Sequence, residues 1–301
     1  MKEYYLPIRY LFCCILCMLQ PCLLVAQTRR DSIVGAEAKP SNWLDLFKYR
    51  TIRSSEKEML KIMDKTPAFG AYKDNFFTTG IPLNKKITNS SANALFQVSI
   101  RQRLTKTVLP FKTFAYLTYT QKSFWDIYSE SSPFRDINYN PGIGLAKVFI
   151  SKGQLLGSGA IQVMHESNGK DGESSRSWNY LNLTAKYYIN LHLNISGELW
   201  IPYVDGGGNK DLLDYKGLGK LNINCTDNTQ KWWLELQLNP RKGFGNINVT
   251  ASIGYKISNS LNQYVFLHFQ DGYANSLLDY NKYSTNLRIG ICIKPDFYNI
   301  Y

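Results

Sequence analysis

Three polar residues have the types and the spacing that nucleophilic catalysis requires. His165 and Ser167 are two positions apart, and Asn179 follows them after a turn-rich stretch. Alternate residues of an extended strand point to the same face and lie about 7 Å apart. A strand that ends near Ser167 therefore predicts a hydroxyl nucleophile beside the imidazole of His165, which would act as its general base.

The stretch after Ser167 predicts a hairpin that returns the chain to His165. Its dipeptides 168–169 (NG) and 171–172 (DG) are strong turn signals, and a second alternating run begins near Asn179. If the two strands pair in that register, Asn179 lies beside His165 and orients the imidazole. A neutral amide fixes the tautomer of histidine but stabilises imidazolium less than a carboxylate does.

A purely structural interpretation competes with this one, because a single His-x-Ser tripeptide is common. The side on which the residues lie separates the two interpretations. Ile161 and Val163 share the parity of His165 and Ser167, so the pair projects from an apolar face. Polar side chains on a lipid-facing surface cost free energy, which favours a functional role. A position in the head-group zone would explain them without one.

The elements that must position these residues are strands. From about residue 72 onward, apolar and polar residues alternate in runs of about ten separated by turn residues. The polar positions include Arg, Lys and Glu. This pattern predicts an all-β fold, a transmembrane antiparallel β-barrel of about twelve strands that is apolar outside and polar inside. A soluble β-sandwich with its apolar faces packed together is the alternative.

The N-terminal region differs from the rest and divides the chain into three parts. Lys2 and Arg9 precede an apolar run at 11–25, which predicts a signal peptide over residues 1–26. Residues 27–70 form an N-terminal extension in which 54–63 could be a short capped helix. We interpret this extension as a plug-like or periplasm-facing segment, with a partly ordered tail as the alternative. The barrel domain spans residues 71–301.

Bulk composition agrees with a barrel in a membrane. The 301 residues include 21 Tyr, whose rings suit a membrane interface. A mean hydropathy of −0.27 argues against a bundle of membrane-spanning helices. The formal net charge is +12, and a secreted chain without a nucleic-acid motif predicts anionic lipid as its counterpart and no nucleic-acid partner.

Around the candidate site the chain resembles the outer membrane phospholipase A family. The resemblance rests on short motifs that follow the family order over about residues 70–298. They are 119–121 (YTQ), 130–135 (ESSPFR), 138–139 (NY), 165–169 (HESNG), 175–179 (SRSWN) and 276–281 (SLLDYN). No single motif would suffice, but together they are specific.

The resemblance implies a twelve-stranded barrel in the bacterial outer membrane with calcium-dependent phospholipase A1, phospholipase A2 and lysophospholipase activity. It implies hydrolysis of the acyl esters of a phospholipid substrate and activation by reversible homodimerisation. By motif position, Ser167 resembles the nucleophile, His165 the base and Asn179 the third member of a triad. The backbone N–H of Gly169 matches the oxyanion donor.

The same resemblance implies the Ca²⁺ ligands and the dimer contact. Ser175 and the carbonyl of Lys170 match calcium ligands, Ser131 matches a ligand contributed by the partner subunit, and Gln121 matches a polar residue of the dimer interface. Oxygen donors of this kind suit a hard cation.

Two positions of the predicted calcium loop depart from the family pattern. The family usually has arginine at the position of Lys170 and aspartate at the position of Gly172. A backbone ligand tolerates the first change, whereas the second leaves Asp171 or Glu173 to supply an acidic group.

A non-enzymatic porin or structural barrel is the rival function. A pore places its working residues inside, so the outward parity of His165, Ser167 and Asn179 argues against it.

Overall fold

The computed structural model describes residues 55–89, 91–151, 154–190, 192–202, 208–258, 262–297 and 299–301. The predicted signal peptide and residues 27–54 of the predicted extension lie outside these ranges. No helix within them is long and apolar enough to span a membrane.

Regular structure in the described ranges is dominated by strands. The helices are α1 (Glu56–Asp64) and α2 (Leu212–Lys216), with single 3-10 turns at Pro110–Lys112 and Gly172–Ser174. The strands are β1 (Phe69–Ala71), β2 (Asn75–Pro82), β3 (Asn93–Arg103), β4 (Phe114–Trp125), β5 (Phe134–Ser151), β6 (Gln154–Ser167), β7 (Ser177–Asn190), β8 (Leu193–Pro202), β9 (Gly219–Thr226), β10 (Trp232–Pro240), β11 (Ile247–Lys256), β12 (Gln263–Gly272) and β13 (Ser284–Ile293).

The strands close into one antiparallel barrel. Each strand from β2 to β13 pairs with its neighbours in sequence, and β13 pairs back onto β2. The short β1 and β2 pair with successive parts of β3 and share one position in the ring. Twelve positions result, which confirms the predicted barrel and excludes the sandwich. Closure satisfies the strand backbone groups where no water is available.

The two faces of the barrel differ as the alternation predicts. Side chains on the outer face are apolar and exposed around the ring, including Phe77, Val98, Leu117, Ile143, Ile161, Leu199, Leu221, Val265 and Ile289. Inward side chains are polar and buried, including Ser99, Thr118, Gln162, Asn182, Asn194, Asn222, Ser252 and Arg288. An apolar belt outside a polar interior is the arrangement that a lipid bilayer stabilises.

The two ends of the barrel have different connections. At one end β5 joins β6 through residues 152–153, and β7 joins β8 through residues 191–192. At the other end β8 joins β9 through residues 203–218, and β12 joins β13 through residues 273–283. The turn after Ser167 belongs to this long-loop end. In membrane barrels the short turns face the periplasm and the longer loops face outward.

Helix α1 lies inside the short-turn end. Ser55 and Glu58 form a reciprocal capping box that begins the helix, and Met59 and Met63 are buried. The guanidinium of Arg103 donates to the carbonyls of residues at the end of α1 and just beyond it, with distances of 2.8 to 3.0 Å. The described part of the predicted extension is therefore ordered against the barrel.

Residues 294–297 and 299–301 fill the same end of the barrel. The ammonium of Lys186 donates to the carbonyls of Asn299 and Tyr301 at 2.8 and 3.2 Å. The ring of Tyr301 packs edge-on against Phe114 and Tyr116. The segment after the last strand thus folds back into the lumen and joins α1 in a common core.

We predict that Arg103→Leu releases α1 while the barrel stays folded. Hydrogen bonds from a charged donor are each worth about 1.5–3 kcal/mol, so losing them should speed cleavage of α1 by trypsin at least about tenfold. The measurement is a trypsin time course, with the heat-modifiable gel shift reporting the folded barrel. Lys112→Ala is the matched control, because the exposed Lys112–Glu56 pair should contribute little. Equal cleavage rates in the two variants would contradict the proposed anchor.

Candidate active site

The candidate site lies on the hairpin of β6 and β7 at the long-loop end. Asn179 is directly opposite His165, and Ser177 is opposite Ser167. Ile161, on the same face of β6, is exposed to the outside. The half-buried side chains of His165, Ser167 and Asn179 therefore share the outer wall of the barrel, because residues two apart on a strand point to one face.

A hydrogen bond joins the imidazole to the amide. His165 Nδ1 lies 2.8 Å from Asn179 Oδ1. An amide oxygen can only accept, so this contact assigns the proton of a neutral imidazole to Nδ1 and leaves Nε2 as an acceptor. Within the described part of the chain, no hydrogen bond joins Ser167 to His165; nucleophile and base contacts often tighten only when substrate binds.

The backbone after the serine turns through a glycine. Gly169 has a φ of +63°, a conformation that costs residues with a Cβ about 1–2 kcal/mol. A Cβ at this position would also meet the ring of Tyr139 at 3.0 Å. Tyr139 lies directly opposite Ser167 on the neighbouring strand β5. The close approach of this ring fixes the path of the chain just beyond the hydroxyl.

Asn168 holds the turn together, a role that the sequence interpretation missed. Its buried amide donates to the carbonyl of Ser174 at 2.9 Å, and its Oδ1 accepts from the backbone N–H of Arg176 at 2.9 Å. The Asn168 N–H also donates to the Arg176 carbonyl at 3.0 Å. The NG dipeptide predicted a turn, but it could not indicate that the asparagine is buried and binds the loop backbone.

The loop between the strands presents oxygen donors. Arg176 Nη1 donates to the carbonyls of Glu173 and Ser175 at 2.6 and 2.8 Å, so these two carbonyls are occupied. The carbonyl of Lys170, the hydroxyl of Ser175 and the carboxylate of Asp171 have no hydrogen-bond or ion-pair partner within the described ranges. These are hard oxygen ligands of the kind that Ca²⁺ takes.

Carboxylates alone cannot form the metal site. Among residues that the structure describes, no cluster of three or more His, Cys, Asp or Glu side chains could hold a metal ion. The Nζ of Lys170 points away from the loop and donates to the carbonyl of Arg135 at 2.9 Å. The donor set therefore fits calcium through hydroxyl and carbonyl oxygens, with ligands from elsewhere needed to complete it.

Other motif residues pack beside this loop. Arg135 pairs with Asp279 at 2.6 Å, and Lys282 pairs with the same carboxylate at 2.8 Å. Burial opposes ionisation of Asp279, but its hydrogen bond from Lys282 and the charge of Arg135 hold its pKa below the usual value. The sequence motifs at 130–135 and 276–281 thus meet at one ion-pair cluster.

Two predicted residues lie apart from the hairpin. Ser131 is exposed in the turn between β4 and β5, with a φ of 65°, and no hydrogen bond joins it to residues 168–176 within the described ranges. Gln121 faces outward on β4, where it accepts from the Tyr119 hydroxyl at 2.9 Å and donates to Ser123 at 3.1 Å.

Gln121 and Ser167 belong to one row across the barrel wall. Gln121 is opposite Tyr139, and Tyr139 is opposite Ser167. Neighbouring strands are about 4.8 Å apart, so the backbones of Gln121 and Ser167 lie roughly 10 Å from each other, and both side chains face the same outer surface.

The fold defines a membrane-spanning β-barrel that carries His165, Ser167 and Asn179 together on its outer wall. The sequence model of the family described as phospholipase A1 matches residues 70–293. The chain therefore belongs to the phospholipase A1 family, whose β-barrel proteins reside in the bacterial outer membrane.

Individual relatives agree with this assignment. A putative phospholipase A1 of Neisseria meningitidis serogroup B is 30% identical over 71% of this chain, and the alignment spans 58% of the length of that relative. The phospholipase A1 of Salmonella typhimurium is 29% identical over 79% of this chain and 86% of its own.

Solved structures share the fold. The outer membrane phospholipase A of Escherichia coli matches with a TM-score of 0.68 and 23% identity, over 77% of this chain and all of that one. A Salmonella typhi outer membrane phospholipase dimer with bound calcium matches with a TM-score of 0.68 and 22% identity, over 80% of this chain and 97% of that one.

We predict that Asn168→Ala opens the loop without unfolding the barrel. The variant leaves backbone groups of residues 168–176 without partners, at a cost of about 1–3 kcal/mol. Trypsin should then cut the folded protein after Lys170 or Arg176, which mass spectrometry of the fragments detects. Ser174→Ala is the control, because the Ser174 side chain is exposed and the loop uses only its carbonyl. An uncut Asn168→Ala loop would show that the asparagine is dispensable.

Proposed function

We propose that this protein hydrolyses acyl ester bonds of phospholipids in the bacterial outer membrane. The observation that carries the proposal is the 2.8 Å hydrogen bond between His165 Nδ1 and Asn179 Oδ1 on the lipid-facing wall, two residues from Ser167. Polar side chains on a lipid-facing wall cost free energy, so a set of three there favours a functional role. Family membership and the phospholipase A1 names of the relatives support the same substrate class.

The reaction would proceed through an acyl-enzyme. Ser167 Oγ attacks the ester carbonyl while His165 Nε2 takes its proton, and the backbone N–H of Gly169 donates to the oxyanion. His165 then gives the proton to the leaving alkoxide of the lysophospholipid. A water activated by His165 hydrolyses the acyl-serine, and the fatty acid leaves. Asn179 holds the imidazole in the tautomer that each proton transfer needs.

The apolar outer wall offers a path for the acyl chain. Val163 is 56% and Ile143 50% exposed on the same face as Ser167, and the two residues are opposite each other on β6 and β5. An acyl chain that lies along them keeps its contact with hydrocarbon while its ester reaches the hydroxyl. Substrate would therefore enter sideways from the bilayer and would not pass through the lumen.

Calcium is proposed as the cofactor, held by Ser175 and the Lys170 carbonyl, with Ser131 supplied by the partner subunit. When bound, the ion would supply positive charge that stabilises the developing oxyanion beside Ser167. Asp171 or Glu173, which flank Gly172, would supply the acidic group that is absent at that position. The calcium-bound dimer of the Salmonella typhi phospholipase is consistent with this assignment.

A reversible homodimer is proposed as the active state. A lipid-facing amide gains hydrogen bonds when it pairs with the same amide of a second subunit. Gln121 is such an amide, and it lies in the same cross-strand row as Ser167. A second barrel docked there would cover the acyl path and bring its own Ser131 to the loop. The monomer would stay dormant until phospholipid reaches the outer leaflet, where it would promote dimer formation. Delivery to this membrane requires a cleavable signal, for which residues 1–26 are the candidate.

We predict that Ser167→Ala abolishes phospholipid hydrolysis. Loss of a triad nucleophile typically lowers kcat by about 10⁶-fold, while the folded barrel should keep its heat-modifiable gel shift. The measurement is fatty-acid release by refolded protein in detergent micelles. Ser177→Ala, at the cross-strand neighbour, is the control and should retain turnover. Hydrolysis by the Ser167→Ala variant would refute the nucleophile, and no hydrolysis by the wild type would favour a non-enzymatic barrel.

We also predict that a calcium chelator stops turnover and that added calcium restores it. Asp171→Asn and Glu173→Gln should identify the compensating carboxylate, because the variant that loses it needs more calcium for half-maximal rate. Losing the one charged ligand of the proposed set should raise that concentration about tenfold or more. Full activity in the chelator would exclude the metal.

A further inference from the structure

A carboxylate sits directly behind the candidate site, on the lumen side of the catalytic strand. Glu166 lies between His165 and Ser167 and points inward. Its Oε2 accepts from Trp178 Nε1 at 2.7 Å and pairs with Lys216 Nζ at 3.0 Å. Both members of the ion pair are largely buried, with side-chain exposures of 15% for the glutamate and 16% for the lysine.

The Glu166–Trp178 contact lies on the lumen face of the hairpin, and the His165–Asn179 contact lies on its outer face. Glu166 is directly opposite Trp178, and His165 is directly opposite Asn179, so the two pairs occupy adjacent rungs of the same ladder. A slip of one residue would move every side chain of the hairpin to the other face. The inner hydrogen bond therefore opposes the displacements that would separate the outer one.

Trp178 and Lys216 are themselves tightly held. Trp178 stacks on Tyr180 with ring centroids 3.9 Å apart and meets Trp200 edge-on at 5.9 Å. The ammonium of Lys216 lies 5.3 Å from the centroid of the Trp178 ring. These contacts fix the two groups that bind the Glu166 carboxylate, so the carboxylate has one well-defined position.

Lys216 comes from a distant part of the chain that also touches the predicted calcium loop. It ends α2, in the connection between β8 and β9. In the same connection, Asn209 accepts from the Ser177 N–H at 3.2 Å and donates to the Ser177 carbonyl at 3.1 Å. A Cβ on Gly208 would meet the Ser175 carbonyl at 2.7 Å. Residues 208–216 thus contact the hairpin at three places.

We propose that Glu166 and Lys216 are positioning residues that hold the His165–Asn179 pair in its working register from inside the barrel. The proposal deepens the proposed hydrolase function and rests on it. Neither residue touches substrate, because both lie on the lumen side of the wall.

The ion pair predicts a non-additive pattern of variants. Removing one partner of a buried pair leaves an uncompensated charge, which is more disruptive than replacing both. Glu166→Gln keeps an acceptor for Trp178 but removes the charged partner of Lys216. Lys216→Met leaves the buried carboxylate of Glu166 without its ion-pair partner. The double variant removes both charges and should be no worse than either single variant.

The matched control is the next ion pair in the lumen. Lys220 pairs with Glu198 at 3.2 Å, with side-chain exposures of 14% and 11%, but these residues lie on β8 and β9 and not on the hairpin. Kinetics would be measured on the full chain refolded in detergent, with calcium and micellar phospholipid. Glu198→Gln tests whether loss of any buried charge in the lumen has the same effect.

We expect Glu166→Gln and Lys216→Met to lower kcat by about 10- to 100-fold, the usual effect of removing a supporting contact, with KM within about twofold. Glu198→Gln should leave kcat within about twofold. Equal losses of kcat in Glu166→Gln and Glu198→Gln, or additive losses in the double variant, would overturn the proposal.

A second readout does not depend on turnover. With ¹⁵N-labelled histidine, the Nδ1 signal of His165, assigned by its absence in His165→Gln, should shift in Glu166→Gln and stay in place in Glu198→Gln. An unmoved signal in Glu166→Gln would also refute the positioning role. If the wild type hydrolyses no phospholipid but this signal responds as expected, the proposed function fails while the structural coupling stands.

Discussion

Closure of the antiparallel sheet is the constraint on which the other features depend. A chain in hydrocarbon must satisfy its backbone hydrogen bonds internally, and pairing of β13 with β2 does so. Each strand then has a lipid face and a lumen face with different chemistry. On β6, His165 and Ser167 occupy the first and Glu166 the second. One strand therefore carries the proposed reacting residues and their proposed internal support at neighbouring positions.

Much of this arrangement follows from periodicity alone. Alternation with a period of two predicted the barrel, its number of strands and the side to which Ser167 and His165 point. The turn dipeptides predicted the hairpin, and Asn179 lies opposite His165. These features are local, because a strand face is set by sequence parity and a hairpin register by its turn.

Contacts between distant segments were beyond such reasoning. Nothing in the sequence near Glu166 indicates that its partner is Lys216, fifty positions away, or that Asn168 is buried. The sequence also does not indicate that β1 and β2 share one position in the ring. It does not indicate that residues 294–297 and 299–301 return into the lumen. These contacts depend on how long loops pack in three dimensions, and short-range patterns carry no information on that packing. The predicted calcium ligands were found only through resemblance to a family.

The filled short-turn end has a consequence for the membrane that contains the protein. With α1 and residues 294–297 and 299–301 packed into the lumen, the described part of the barrel does not offer the wide aqueous passage of a porin. A cell could therefore keep many copies in its envelope without adding wide pores to it. Under the proposed function, a dormant enzyme must be in place before phospholipid reaches the outer leaflet, and a filled lumen lets it be kept there at little risk to the permeability barrier.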